Sequence, residues 1–406
     1  MLNHFYFTIL MKKILLSVTL LVVAYAIQGQ TDTTLTDKKI REKALSEIQS
    51  SLELKTKAID LTVSKLDAKV DDLDRAIKSS RSASDKADKL LERVQALEKR
   101  QTTVEENELN VYQANYQSAV INLVSMDREI KPLLLFDVTK GFFTSLTETA
   151  NPMNYPGYEE WYKKFKVYVE QQKTKESQLL VLSNLITLTG DIAKGAPLTG
   201  PLAQSMFQGI GLYINSIGIK RKEMRTESEK MFVLTAKLSQ FTHDKNLIDN
   251  EWQNITKELE TLQTLYEATL NQNLYLLVIP KSDFQSQFTK EYDANKRGEY
   301  LQGLSQKAAS LVSTKRLLSP KEWKEPIYYQ EQDIQSLKLR FGRTTLRISE
   351  NMSKYNDLIK KYKGDADLGA KVATLETKLK ELKDLFDKTF EPSEYILSAT
   401  RMYKVN

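Results

Sequence analysis

Residues 59–77 read IDLTVSKLDAKVDDLDRAI. Ile59, Val63, Leu66, Val70, Leu73 and Ile77 fall at alternating steps of four and three, with Asp, Lys and Arg between them. On a helix this spacing gathers the apolar side chains on one narrow stripe, and such a stripe is buried only by another helix. Leu45 and Leu52 extend the seven-residue series Ile59, Leu66, Leu73 toward the N-terminus. The stretch therefore decides the fold class: all-α, an elongated bundle of long antiparallel coiled-coil helices with a central apolar helical hairpin.

The chain of 406 residues holds only 14 Gly and 9 Pro, so its turns are few and its elements long. Hydrophobic residues at 41% and charged residues at 28% suit a folded chain, because enough apolar surface is present to offset chain entropy. The helical pattern around 59–77 runs from about Asp37 to Ile130 and ends at Pro132. Its phase slips once, in Lys78-Ser79-Ser80-Arg81-Ser82-Ala83-Ser84, after which Ala83, Ala87, Leu90, Val94, Leu97 and Val104 make a second seam. The slip is either a discontinuity in the supercoil or a short break where the chain doubles back. No Gly or Pro lies between Gly29 and Pro132, which favours a continuous helix over 30–132, a rod on the order of 140 Å at about 1.5 Å per residue.

Residues 133–177 form an aromatic connector with a short helix, marked by Pro152, Pro156, Gly157 and then Trp161, Tyr162, Phe165 and Tyr168. A second long heptad helix spans 220–279, its seam made of Met231, Leu234, Leu238, Phe241, Ile248, Trp252, Ile255, Leu259 and Leu262, interrupted only at Lys245. A connector with a short helix follows over 280–326. The C-terminal heptad helices, 327–406, carry Ile334, Leu337, Phe341, Ile348, Met352 and Tyr355, then Leu368, Val372, Leu375, Leu379 and Phe386. No long period-two pattern occurs; Leu274–Ile279 reads as a short strand.

The N-terminus reads as a targeting segment, residues 1–29, with Met11 as the expected start. Lys12 and Lys13 precede an apolar run, Ile14–Val23, and Ala24-Tyr25-Ala26 offers a small-x-small cleavage site. The run is about ten residues, short of the roughly 20 that span a bilayer. A cleaved signal peptide, cut after Ala26 or Gly29, implies export to a periplasm, cell surface or medium. The chain has no cysteine, which removes disulfides, thiolate metal sites and thiol catalysis, and fits a bacterial envelope. Net charge is +6, two of it from Lys12 and Lys13, too mild for a nucleic-acid binder.

Catalytic chemistry finds little footing. Outside the leader His243 stands alone, too few for a triad or a histidine metal cluster. The carboxylates Asp67, Asp71, Asp72 and Asp74 interleave with Lys and Arg along a heptad, as wet coiled-coil faces do. Gly195–Gly200 lacks the Lys-Ser/Thr of a phosphate loop. The expectation is a protein without catalytic site, metal, cofactor, small-molecule substrate or nucleic-acid partner. Its partners are another protein or itself through helices, with a membrane as a further partner to test.

Residues 178–219 stand apart: only Asp191 and Lys194 are charged, and six of the 14 glycines fall there. The centre, Lys194-Gly195-Ala196-Pro197-Leu198-Thr199-Gly200-Pro201, cannot continue a helix, so the segment reads as two apolar arms around a turn. Leu179, Leu182, Leu185 and Ile186 line the first arm, and Phe207, Ile210, Leu212, Ile214 and Ile217 the second. Gly195, Pro197, Gly200 and Pro201 shape the turn. Such a hairpin either stays buried in the bundle or enters a membrane, where small residues permit close helix packing and Lys220-Arg221-Lys222 meets anionic head groups. A leader, a long helix, a glycine-rich apolar hairpin and further long helices resemble, in layout, the helical pore-forming toxins of the cytolysin A and haemolysin BL type. That resemblance implies a tongue at 179–219 that is hidden in the soluble form and inserts after rearrangement. The leading functional expectation is a structural or interaction module at the bacterial envelope; the alternative is a membrane-inserting pore former.

Overall fold

The first seam ends in serines, and there the chain turns. In the computed structural model, helix α1 (Leu2–Ser79) stops, Ser80, Arg81 and Ser82 form a turn, and α2 (Ala83–Ser125) runs back beside α1. The single rod expected over 30–132 is thus two antiparallel helices. The serines explain the break: the Ser79 hydroxyl bonds the Ala76 carbonyl at 3.1 Å, and Ser80 donates to the Asp85 carboxylate in the first turn of α2. Ser82 is extended at φ −87°, a conformation any residue adopts, so the turn requires no glycine.

The structure describes residues 2–136, 141–172, 200–217, 221–391, 393, 395, 396 and 403; among these, side chains are described from Thr36 onward except at 131, 132, 134–136, 141, 172, 200–205 and 388. Leader residues 1–29 therefore lie outside the described side chains, and Leu179, Leu182, Leu185, Ile186, Gly195 and Pro197 lie outside the described residues altogether. The remaining helices are α3 (Asp127–Phe136), α4 (Gly141–Ala150), α5 (Tyr158–Gln172), α6 (Gly200–Ser216), α7 (Lys222–Leu276), α8 (Lys281–Phe284), α9 (Ala294–Leu318), α10 (Lys324–Tyr362) and α11 (Gly369–Phe390). Among the described residues there is no strand, and the fold is an all-α bundle. None of these helices is long and apolar enough to cross a membrane among the residues described.

Two compact units divide the chain: Met1–Leu134 with Glu260–Arg343 and Glu391–Asn406, and Leu135–Leu259 with Thr344–Phe390. In the first unit α1 and α2 pack against each other and α9 packs on both. Its core holds Tyr116, Ile121, Leu123, Leu304, Val312, Ile334 and Phe341, all buried. Gly342 admits the C-terminal segment, since a Cβ there would come within 2.9 Å of Tyr395 and Ile396.

In the second unit the aromatic connector is a core. Trp161 and Phe165 of α5 stack at 5.3 Å, and Tyr213 of α6 meets Phe165 edge-on at 5.5 Å. Trp161 also donates its indole N–H to the Ser228 hydroxyl at 3.0 Å, joining α5 to α7. The described arm of the apolar hairpin, α6, buries Ile210 and Ile217 along with Met206 and Tyr213, while Phe207, Leu212 and Ile214 are half-buried. Gly200 and Pro201 open this helix. On α7, Leu234, Leu238, Phe241, Ile255 and Leu259 are buried and Met231, Ile248 and Trp252 half-buried; Leu262, in the first unit, is buried.

The strand expected at Leu274–Ile279 is instead a helix end. Ile279 N–H bonds the Leu274 carbonyl at 2.9 Å and Val278 N–H the Tyr275 carbonyl at 3.1 Å. This is a Schellman closure, with Leu274 and Ile279 both buried as its apolar contact. Its left-handed residue, at φ 53°, is the exposed β-branched Val278, where glycine is the ordinary choice. Val278→Gly is expected to raise the thermal midpoint, with a gain on the order of 1 kcal/mol from relieved backbone strain. An unchanged or lowered midpoint in calorimetry would show that the conformation carries no strain.

Candidate functional site

Helix α2 meets α1 through a face that its apolar pattern does not announce. Lys89, Arg93, Ala96, Arg100, Thr103 and Asn107, again in steps of four and three, are buried or half-buried there. Across the pairing, Arg93 holds Asp74 and Arg100 holds Asp67, each at 2.5 Å, and Asn107 accepts from Thr56 at 3.4 Å. On the α1 side Leu52, Leu66 and Leu73 are buried, and Leu45 and Ile59 half-buried. Small Ala96, only 4% exposed, lets the helices approach, while the arginine stems lie along the apolar α1 seam and keep their heads half in water.

The second seam consequently points outward. Leu90 is 48% exposed, Val94 48%, Leu97 37% and Val104 37%, with neighbouring Leu91 at 60%. Ala83 and Ala87 are exposed as well. This corrects the expectation that these residues pack within the bundle. Nearer the base of α2 the same heptad positions are covered: Val111 is buried, Glu108 pairs with Lys324 at 2.5 Å, and Asn115 exchanges hydrogen bonds with the Tyr403 backbone at 3.1 and 2.9 Å. From Val104 to the turn the stripe is open. Scattered exposed leucines are ordinary, but a heptad-spaced apolar row open to water is not.

A buried ionic cluster anchors the base of the hairpin. Asp37 of α1 takes Arg297 of α9 at 2.7 Å and Arg128 of α3, and Arg41 pairs with Glu129 at 2.7 Å, all of them buried or nearly so. Arg128 also donates to the Thr289 carbonyl at 2.9 Å, and the Asp127 carboxylate accepts from the Thr289 hydroxyl at 2.8 Å. Two carboxylates, Asp37 and Glu129, thus meet three guanidiniums, Arg41, Arg128 and Arg297. The cluster holds elements together; every charge in it is engaged by another protein group. The partners lie up to 260 residues apart, so no local motif announces them.

Glu331 of α10 is buried differently. It is 1% exposed, and its Oε1 has no hydrogen-bond partner among the described residues. Burial pushes its carboxyl up to about 8. Burial, with Glu331 as a further cause, also pushes the nearby Tyr116 hydroxyl well above its ordinary value.

In the second unit a cleft of about 570 Å³ lies between α4, α7 and α10, lined by Phe143, Trp252, Tyr355, Lys245 and Asp249. The seam residue Trp252 faces it, 5.3 Å from Phe143. Asp249 accepts from the Tyr355 hydroxyl at 2.6 Å and pairs with Lys245. Among the described residues no group of three or more metal-ligating acidic or histidine side chains occurs, and His243 is exposed. The chain matches no protein-family model, no curated protein and no solved structure.

The Glu331 carboxyl supplies a pH test with a defined sign. Its folded-state value lies above its unfolded one, so between about pH 4.5 and about 8 the folded state keeps a proton that the unfolded state has lost, and stability falls as pH rises. Glu331→Gln should remove that slope. Its stabilisation relative to the parent should be small near pH 4, grow toward pH 8 and level off above. A stability difference independent of pH in urea titrations would contradict this.

Proposed function

We propose that this chain is an exported, non-catalytic helical interaction module of the bacterial cell envelope, acting through the α1–α2 hairpin. The observation that carries the reading is the open stripe of Leu90, Val94, Leu97 and Val104 on a helix whose other long face is already satisfied by α1. The signal-like leader and the cysteine-free composition support the envelope location. The ion pairs and aromatic contacts of the cleft in the second unit are those of a structural joint, and the buried charges at the hairpin base serve anchoring.

The reading makes a direct demand on the stripe. Replacing Leu90 and Leu97 together by Asp should leave helical content and thermal midpoint close to the parent, because both positions are open to water. The same change should abolish complexes cross-linked in envelope fractions of producing cells, where the parent chain should begin at Ile27 or Gln30. Complexes that survive the double substitution would overturn the reading. So would release of dye from liposomes by the purified parent, which would favour membrane insertion instead.

A further inference from the structure

We infer that the open stripe on α2 is a parallel self-association seam, covered by α2 of a second copy of the same chain. The inference rests on the interaction-module reading and names its partner. Ala83, Ala87, Leu90, Val94, Leu97, Gln101 and Val104 occupy alternating core positions over three heptads. The residues flanking that core differ in sign. On the side toward α1 stand Lys86, Arg93 and Arg100; on the other stand Leu91, Glu98 and Glu105.

Two copies can meet through this stripe in either direction, and the charges distinguish the two. In a parallel in-register pair, each flank residue faces the opposite flank five residues further along the partner. Arg93 then faces the second copy's Glu98, Arg100 its Glu105, and Lys86 its Leu91. In an antiparallel pair like flanks face each other, setting Arg93 against Arg93 and Lys86 against Arg100. The stripe is therefore self-complementary in the parallel sense and self-repelling in the antiparallel one. Arg93 and Arg100 are held by Asp74 and Asp67 at 2.5 Å yet keep side-chain exposures of 35% and 41%. A guanidinium carries five N–H donors, so each can accept a second carboxylate without leaving the first. Pre-ordered in this way, the arginines lose less side-chain entropy on association than free ones would.

Gln101 strengthens the choice. It is the one polar residue within the stripe between Ala83 and Val104; its amide donates to the Glu105 carboxylate at 2.9 Å, and its remaining N–H and carbonyl oxygen can be met across the seam by the other copy's Gln101, which favours that register. Parallel pairing sets Gln101 against Gln101; the antiparallel pairing that sets Arg93 against Arg93 places it against Ala83. The coverage of the same face by Lys324 and Tyr403 below Glu108 limits the seam to the outer part of the hairpin. Three heptads give a modest interface, so association should depend visibly on concentration.

The absence of cysteine makes the test clean. Sedimentation equilibrium on the purified mature chain should show a monomer–dimer equilibrium at concentrations up to about 100 μM. Leu97→Asp should weaken it at least tenfold, and Glu98→Lys, which sets Lys against Arg93 of the second copy, severalfold. Gln101→Cys should form a symmetric disulfide dimer under mild oxidation, and an Ala83→Cys plus Gln101→Cys mixture should give only homodimers. A monomer at every concentration overturns the inference, whether the stripe is then open to labelling or covered by another part of the chain. Selective disulfide heterodimers between the Ala83→Cys and Gln101→Cys chains overturn it in favour of antiparallel pairing. A monomer whose envelope complexes nonetheless vanish with the double Asp substitution would remove the self-association seam and leave the interaction-module reading standing.

Discussion

Helix α2 is one uninterrupted helix from Ala83 to Ser125, and its rotation is set at the end farthest from the turn. There Val111, Ala114, Tyr116, Ala119, Val120, Ile121, Leu123 and Val124 are all buried, and Tyr116 bonds Asn273 at 3.0 Å while Gln117 reaches Ser305 at 2.8 Å. A helix packed on several sides cannot turn about its axis without breaking that core, and its phase propagates at about 100° per residue to the outer half. Once the base is fixed, the outer half must show α1 the face bearing Arg93, Ala96 and Arg100. The leucine stripe faces water as a consequence of packing elsewhere.

The ionic cluster beneath the hairpin works in the same direction. Bringing Asp37, Arg41, Arg128, Glu129 and Arg297 out of water is expensive, and only near-complete pairing offsets it. A shift of α1 along α9 would separate Asp37 from Arg297 and leave both buried. The cluster therefore selects one register of α1 against its neighbours, whatever its net contribution to stability. Glu331 lacks such a partner among the described residues, and its carboxyl keeps its proton instead.

Much of the fold was legible. Where a helix has one dominant neighbour or a continuous core, as with Leu238, Phe241, Ile348, Tyr355 and Val372, heptad spacing found the buried face. It failed on α2 because a seam shows which face is apolar, and tertiary packing decides which face is covered. The turn at Ser80 was hidden because it needs neither glycine nor proline, only extended backbone and serine hydroxyls. The end of α7 read as a strand because β-branched Val278 and Ile279 mimic strand composition, while the left-handed step that closes the helix leaves no glycine to mark it. The cluster around Asp37 was invisible for another reason: its members are far apart in sequence, and nothing local distinguishes them from surface charges.

The central claim concerns which face of α2 lies against α1, and proximity between the helices tests it most directly. In the cysteine-free chain, Val70→Cys with Ala96→Cys places two thiols on the facing sides of the pair, while Val70→Cys with Leu97→Cys turns one of them outward. With a short thiol-specific cross-linker at low protein concentration, rapid intramolecular linkage of the first pair and slow linkage of the second is the predicted result. Faster linkage through Leu97 than through Ala96 would mean that the leucine stripe is the buried seam, and would contradict the account.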